Sequence, residues 1–281
     1  MKTLGVVGSG NMGNGIGQTA AQNGYEVILY DLAWDQLKKA AERIEGALKK
    51  RVASGKMAQE DMDQTIAAIR YTSNIEALKD CDVVIEAVVE KVDVKQSIFK
   101  QLEQLVSADC ILATNTSSLS LAEIASGMED PGRLVGIHFF NPVPAMKLVE
   151  IVRTERLAPE VLEKADEFAK SLGKTTIQAK DYPGFVVNYL QYPFRLNAMR
   201  MFEKGMATAE DIDTAAKLGL GHPMGPLELQ DMVGLDVTYY ATSSIYEKTK
   251  EPSMQPPEIL KKLVEEGKLG RKTGEGFYKY N

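Results

Sequence analysis

The feature that most constrains this sequence is a glycine cluster between an apolar run and a helical pattern. The run Leu4–Val7 is apolar and largely β-branched, and the segment that follows it, Gly8-Ser9-Gly10-Asn11-Met12-Gly13, has the spacing G-x-G-x-x-G. Small residues at helical spacing then extend to Asn23, and a second strand-like segment, Glu26–Tyr30, ends just before Asp31. This order of strand, turn, helix and strand predicts a βαβ unit of about 30 residues.

Each glycine of this motif has a physical role in dinucleotide binding. The first permits a tight turn, the second lets the backbone approach a pyrophosphate, and the third lets the helix pack close to its strand. Asp31 stands where a carboxylate accepts hydrogen bonds from the adenosine ribose and repels a 2′-phosphate. The alternative is a glycine-rich turn followed by an ordinary strand-end aspartate. Because the βαβ unit is complete, we predict an NAD site formed by Gly8, Ser9, Gly10, Asn11, Met12, Gly13 and Asp31, with NAD preferred over NADP.

The remaining apolar segments predict two domains. Four strand-like cores are hydrophobic almost throughout, which is typical of strands covered on both faces: 82–86, 110–114, 134–138 and 148–152. Strand signals fade after Pro183-Gly184, and Phe185–Lys204 reads as a long helix kinked at Pro193. We therefore predict a Rossmann-like α/β domain over residues 1–182, followed by a smaller all-helical domain over residues 183–281.

Composition excludes several classes of function. The chain has 281 residues and a net charge of −6, whereas a nucleic-acid-binding protein normally carries a basic excess. Its two cysteines exclude a disulfide scaffold, and no His, Cys or carboxylate cluster has metal-ligand spacing. No segment reaches the ~20 apolar residues of a membrane helix, and the first apolar run is too short for a signal peptide. We expect a cytoplasmic protein without a metal.

Three polar features remain as candidates for chemistry. His138 ends an apolar strand, and Glu150 interrupts another, so a buried Glu150 needs a partner such as His138. Glu150 could instead face water, because strand residues alternate. The segment Asn115–Ser120 offers hydroxyl and amide donors to a substrate oxygen, or it caps the next helix. The second histidine, His222, is interpreted as a turn residue.

These motifs together resemble the L-3-hydroxyacyl-CoA dehydrogenases, and most of all their short bacterial members. Besides the glycine motif, six blocks carry the resemblance: 86–90 (EAVVE), 115–118 (NTSS), 138–142 (HFFNP), 183–188 (PGFVVN), 223–226 (PMGP) and 272–278 (KTGEGFY). They occur in order along essentially the whole chain. The resemblance implies reversible oxidation of a 3-hydroxyacyl-CoA with NAD, and short substrates such as the pair 3-hydroxybutyryl-CoA and acetoacetyl-CoA.

The resemblance also implies roles for individual residues. His138 matches the catalytic base and Glu150 its partner, while Ser117 and Asn188 match the residues that orient the substrate oxygen. Ser117 also matches a cofactor contact. Asn141 matches a residue that lies near the nicotinamide, and Glu90, Lys95 and Lys272 match polar contacts to the cofactor. The active site is expected between the two domains. A homodimer is expected through the helical domain, where the following residues serve either as interface or as core: Met199, Met201, Phe202, Tyr239 and Tyr240.

Alternatives stay open for the residues that contact the CoA phosphates and for the position at which this sequence differs from the family. The densest basic cluster is Lys49, Lys50, Arg51 and Lys56, from which Lys50 and Lys56 are predicted as phosphate contacts; such clusters also occur at solvated helix ends. Tyr189 follows Asn188 where the family commonly has arginine, so an ion pair is lost. Two other functions stay open: a dehydrogenase of a small hydroxy acid or sugar acid, and a non-catalytic structural relative.

Overall fold

The computed structural model describes residues 2–280. The chain divides into two compact units, the first ending at Tyr182 and the second beginning at Pro183. None of the helices within residues 2–280 is both long and apolar enough to span a membrane. In the same part of the chain, no group of three or more His, Cys, Asp or Glu side chains could hold a metal ion.

The first unit is built on one sheet, which comprises eight strands within the described residues. Their bounds are β1 Thr3–Val7, β2 Glu26–Tyr30, β3 Ile69–Thr72, β4 Val83–Glu86, β5 Ile111–Thr114, β6 Leu134–Phe139, β7 Leu148–Arg153 and β8 Thr175–Lys180. The strand order is β3-β2-β1-β4-β5-β6-β7-β8, and every neighbouring pair is parallel except β6 and β7. The order reverses between β1 and β4, where ligands bind in open α/β sheets.

Helices cover both faces of this sheet. They are α1 Asn11–Gln22, α2 Trp34–Ala53, α3 Gln59–Ala67, α4 Val92–Leu105, α5 Leu121–Ala125 and α6 Pro159–Ser171. Val6 and Ile85 belong to one buried cluster, whereas Val7 and Val84 belong to another. Adjacent strand residues thus alternate between two cores, which explains the continuous hydrophobic runs and confirms the Rossmann-like prediction.

Two edge strands were not predicted. β3 has an exposed Arg70, and β8 contains exposed polar residues such as Gln178. An edge strand needs less apolar sequence than a central strand, because part of its surface stays in water. Hydrophobicity therefore indicated the central strands and missed both edges.

The second unit is helical, as predicted. Its α-helices are α7 Val187–Glu203, α8 Ala209–Thr214, α9 Pro226–Val233, α10 Leu235–Thr249 and α11 Glu258–Glu265. α7 contains Pro193 in its interior, and α9 begins with Pro226, where a missing N–H removes no helical hydrogen bond. Thr208 is the N-cap of α8, and its hydroxyl accepts a hydrogen bond from Asp211 N at 3.1 Å.

Candidate active site

In the turn between β1 and α1, two of the three motif glycines leave no room for a side chain. Gly8 has a φ of +101°, and a Cβ there would lie 2.6 Å from the carbonyl oxygen of Ala87. A Cβ on Gly13 would lie 1.9 Å from the carbonyl oxygen of Gly8. A Cβ on Gly10 would meet nothing within 4 Å. Gly10 therefore leaves open space at the N-terminus of α1, where backbone N–H groups and the helix dipole favour a phosphate.

A cavity of about 860 Å³ adjoins this turn. Its lining includes Gly8, Gly10 and Asp31, together with apolar side chains such as Val88 and Ile98 that suit an adenine ring. The Asp31 carboxylate lies at the end of β2, where it accepts hydrogen bonds from Ser9 N (2.9 Å) and Ser9 Oγ (2.8 Å). The donors, the carboxylate and the apolar walls fit the adenosine diphosphate part of a dinucleotide.

The other two motif residues contact protein groups. Asn11 is exposed, and its Oδ1 accepts a hydrogen bond from Arg43 Nη1 at 2.8 Å. Met12 is partly buried against the apolar core. Both bring their backbone N–H groups to the first turn of α1, so any contact with the cofactor is expected from the main chain.

Two alanine substitutions separate cofactor binding from folding at this turn. We expect Gly10→Ala to keep the melting temperature and to raise the Kd for NADH at least about tenfold, or ~1.4 kcal/mol, because its methyl group fills the phosphate space. Gly13→Ala should destabilise the protein by roughly 1–3 kcal/mol, because its methyl group overlaps a backbone oxygen. Thermal unfolding and NADH fluorescence titration measure the two effects. Unchanged NADH affinity in folded Gly10→Ala would contradict the phosphate position.

The sheet brings His138 and Glu150 together. They are directly opposite on the antiparallel strands β6 and β7, and alternation points both side chains away from the core that contains Ile137 and Ile151. His138 Nδ1 lies 2.6 Å from Glu150 Oε2. His138 is 5% exposed and Glu150 is fully buried. The carboxylate therefore fixes the ring orientation and favours a proton on Nδ1, which makes Nε2 the proton-accepting nitrogen.

An ion-pair network organises the segment around Ser117. Glu90 accepts hydrogen bonds from Ser117 N at 2.9 Å and from the Thr116 hydroxyl at 3.0 Å. Lys95 Nζ lies 3.1 Å from Glu90 and 2.6 Å from the fully buried Glu86. Lys95 was predicted as a cofactor contact from the family resemblance, and it is only 1% exposed. In this structure its ammonium compensates two carboxylates, and the proposed cofactor contact stays a prediction.

The segment from Asn115 to Ser120 both positions the site and caps a helix. Asn115 Oδ1 accepts a hydrogen bond from Phe139 N at 2.9 Å, which fixes the end of β6 next to His138. Ser120 is the N-cap of α5, and Asp181 accepts hydrogen bonds from the Ser120 hydroxyl and from Ala122 N, at 2.9 and 2.8 Å. The capping alternative is therefore confirmed for Ser120, whereas donation of hydrogen bonds to a substrate oxygen stays a prediction.

The predicted residues of the second unit have local partners. Asn188 is the second residue of α7, and its Oδ1 accepts a hydrogen bond from Gln191 Nε2 at 2.7 Å. Lys272 Nζ contacts both carboxylate oxygens of Asp236, at 2.5 and 2.7 Å. The segment that carries Lys272 is held by the buried Asp231, which accepts hydrogen bonds from backbone N–H groups farther along it. Burial raises the pKa of Asp231.

The remaining predicted residues lie on exposed segments. Asn141 is exposed on the segment that follows β6, and its peptide bond to Pro142 is cis. Lys50 and Lys56 are also exposed; Lys56 lines a second cavity, of about 1000 Å³, together with Arg51 and Arg70. This cavity is lined by the first three residues of β2 and by Arg70 of β3, whereas His138 and the glycine turn lie near the carboxyl ends of their strands. The structure therefore does not bring Lys56 to the sheet edge that carries His138.

A Rossmann-type sheet with this turn and a buried His–Glu pair defines the class of the NAD-dependent dehydrogenases. Two family models match the chain: "3-hydroxyacyl-CoA dehydrogenase, NAD binding domain" over residues 3–182, and "3-hydroxyacyl-CoA dehydrogenase, C-terminal domain" over residues 184–280. The chain belongs to the 3-hydroxyacyl-CoA dehydrogenase family, and the resemblance seen in the sequence is confirmed.

Individual relatives match over at least 91% of their length. The 3-hydroxybutyryl-CoA dehydrogenase of Mycobacterium tuberculosis is 42% identical over 282 residues, which cover 100% of this chain and 99% of the relative. The mitochondrial hydroxyacyl-coenzyme A dehydrogenase of Sus scrofa is 44% identical over 288 residues, with 100% and 91% covered. The crystal structure of (S)-3-hydroxybutyryl-CoA dehydrogenase PaaH1 from Ralstonia eutropha superposes with a TM-score of 0.96 at 37% identity, covering 100% of this chain and 99% of the other.

Proposed function

We propose that this protein interconverts short-chain 3-hydroxyacyl-CoA and 3-oxoacyl-CoA with NAD as cofactor. The observation that carries the proposal is the buried pair of His138 and Glu150, on the same sheet as a glycine turn that fits a dinucleotide. A dehydrogenase must move a proton as well as a hydride, and this pair supplies a proton acceptor. When bound, NAD provides the hydride acceptor for oxidation, and NADH the hydride donor for reduction.

The proton is handled by residues of this chain. In oxidation, Nε2 of His138 takes the proton of the substrate's 3-hydroxyl group, and Glu150 stabilises the resulting imidazolium through Nδ1. In reduction, the same nitrogen returns the proton to the 3-oxo oxygen. Ser117 and Asn188 donate hydrogen bonds to that oxygen, as the family resemblance implies. Glu90 supports this role of Ser117 because it holds the Ser117 backbone N–H at 2.9 Å.

Cofactor and CoA contacts follow the same proposal. Asp31 holds the adenosine ribose and disfavours NADP, because a 2′-phosphate would approach its carboxylate. The other side chains that would hold NAD are Ser117, Glu90, Lys95, Asn141 and Lys272. Lys50 and Lys56 remain our proposal for the CoA phosphates, supported by positive charge alone.

Assembly and location are also proposals. The helical unit exposes apolar side chains on α9 and α10, among them Met232, Val237 and Tyr240, and we propose that this face forms a homodimer. Of the interface candidates taken from the sequence, Met199 belongs to the core instead, since it is fully buried, whereas Tyr240 is 65% exposed.

Cys81 and Cys110 are buried free thiols, which supports a cytoplasmic location.

One assay tests the function. NADH oxidation is followed spectrophotometrically with acetoacetyl-CoA, and in parallel with free acetoacetate and with NADPH. We expect turnover of acetoacetyl-CoA with NADH, and at least about tenfold lower kcat/KM when the CoA moiety is removed or NADPH is used. Equal rates with free acetoacetate would indicate a small-hydroxy-acid dehydrogenase. No turnover of any substrate by a protein that binds NADH would indicate a non-catalytic relative.

A further inference from the structure

The segment 140–147 joins the strand of His138 to the strand of Glu150. It forms a turn in which the carbonyl oxygen of Pro142 accepts hydrogen bonds from Ala145 N and Met146 N, both at 3.0 Å. Asn141 lies on this segment, three residues after His138. The position of this segment therefore decides where Asn141 lies relative to His138 and Glu150.

A buried lysine from another part of the unit holds this turn. Lys174 lies between α6 and β8, and it is 9% exposed. Its Nζ donates hydrogen bonds to the carbonyl oxygen of Val143 at 2.6 Å and to that of Met146 at 2.8 Å. The next residue, Thr175, donates its N–H to the carbonyl oxygen of Lys147 at 2.7 Å. One short stretch of chain thus fixes the turn at three carbonyl groups.

The ammonium group of Lys174 is compensated by carbonyl groups of this turn. Within residues 2–280, no carboxylate lies within 4.0 Å of its ammonium group. Burial lowers the pKa of Lys174. A buried ammonium without an ion-pair partner is unfavourable unless its N–H groups are bonded, and here two backbone carbonyl dipoles provide that compensation.

On its other side the turn contacts the cofactor helix. Val143 is 2% exposed, and a Cβ placed on Gly15 of α1 would lie 2.9 Å from the Val143 Cβ. Only glycine allows the turn to approach α1 this closely. The turn is therefore clamped between the ammonium group of Lys174 and the helix that begins at the phosphate-binding turn.

We propose that Lys174 is a positioning residue for hydride transfer: its ammonium group holds the 140–147 turn against α1, and so fixes Asn141, which the family resemblance assigns to the nicotinamide, relative to His138. The proposal rests on the proposed function, because only a dehydrogenase reaction requires this alignment. Displacement of reacting groups by about 1 Å lowers rates by up to ~10²-fold. Loss of the ammonium group should therefore affect the hydride step more than the binding of either substrate.

The variant Lys174→Met removes the charge and keeps most of the aliphatic chain. With acetoacetyl-CoA and NADH we expect kcat to fall by about 10–100-fold, with KM for acetoacetyl-CoA changed by less than about threefold. The primary deuterium isotope effect with 4-deuterated NADH should rise, because hydride transfer becomes the slow step. A role in folding alone would lower the melting temperature and leave kcat per active site and the isotope effect unchanged. Lys170→Met is the control, since Lys170 is exposed on α6 and pairs with Asp166 on the same helix.

A second variant tests the turn from the other side and keeps Lys174 intact. In Gly15→Ala, the added methyl group pushes on Val143, while alanine favours the helix, so the variant is expected to fold even if Lys174→Met does not. We expect it to raise the isotope effect as well. Its control is Gly17→Ala on the same helix, where the nearest atom would lie at 3.4 Å in ordinary contact.

The outcomes distinguish this proposal from the proposed function. If the wild-type protein does not reduce acetoacetyl-CoA, the proposed function fails. If the wild-type protein is active and folded Lys174→Met matches it in kcat and isotope effect, the positioning role is wrong while the function stands. Should Lys174→Met not fold, a wild-type isotope effect and kcat in Gly15→Ala would overturn the proposal in the same way.

Discussion

We expect His138→Gln to lower the turnover of acetoacetyl-CoA by about 10²–10⁴-fold, the usual contribution of a positioned acid–base group. Glutamine retains a hydrogen-bonding side chain of similar reach beside Glu150, but it cannot take or return a proton at neutral pH. The Kd for NADH should stay within about twofold of the wild-type value, because the cofactor cavity described above is lined by other residues. Steady-state kinetics and NADH fluorescence titration measure the two quantities separately.

The other histidine of the chain provides a matched control for this variant. His222 is the second of only two histidines, it is exposed, and its ring lies 4.9 Å from the ring of Phe194. His222→Gln should therefore retain full turnover. If His138→Gln also retained full turnover, His138 would have no part in proton transfer, whatever its contact with Glu150.

How much of the fold the sequence predicts depends on the kind of signal each element carries. The unit β1–α1–β2 was predictable because a glycine motif, two apolar runs and a helical period all point to it. The central strands followed from hydrophobicity alone. The edge strands β3 and β8 did not, because their exposed side chains make them resemble loops. The direction of β7 could not be predicted either, since antiparallel pairing with β6 depends on long-range contacts rather than local pattern.

In the candidate site, too, local sequence predicted some features, whereas others depend on long-range contacts. His138 and Glu150 were candidates because of their residue types and their places in apolar strands. The sequence left open whether Glu150 faces water. The register of β6 and β7 is what places the two residues directly opposite each other. Lys174 was missed because its acceptors are backbone carbonyls, which leave no trace in the identity of the residues that carry them. Glu86, a carboxylate at the end of an apolar strand, had the same sequence signal as Glu150 and could have been found by it.

The second large effect is expected at Glu150, where Glu150→Gln removes the charge of the carboxylate and keeps its shape. Glutamine Oε1 can still accept a hydrogen bond from Nδ1 of His138, so the ring stays in place, but the imidazolium formed during oxidation loses its counter-charge in a fully buried position. We expect kcat to fall by roughly 10²-fold with little change in melting temperature. Glu155→Gln, an exposed carboxylate two residues beyond β7, should leave kcat unchanged.

The double variant His138→Gln/Glu150→Gln decides whether the two residues act as one unit. If Glu150 acts only through the imidazole, its loss cannot lower the rate further once the imidazole is gone, so the double variant should match His138→Gln within about threefold. Multiplied losses in the double variant would mean that Glu150 contributes to catalysis or folding by a route that does not pass through His138. Because the 2.6 Å contact joins these two side chains directly across the strands, we expect the non-additive result.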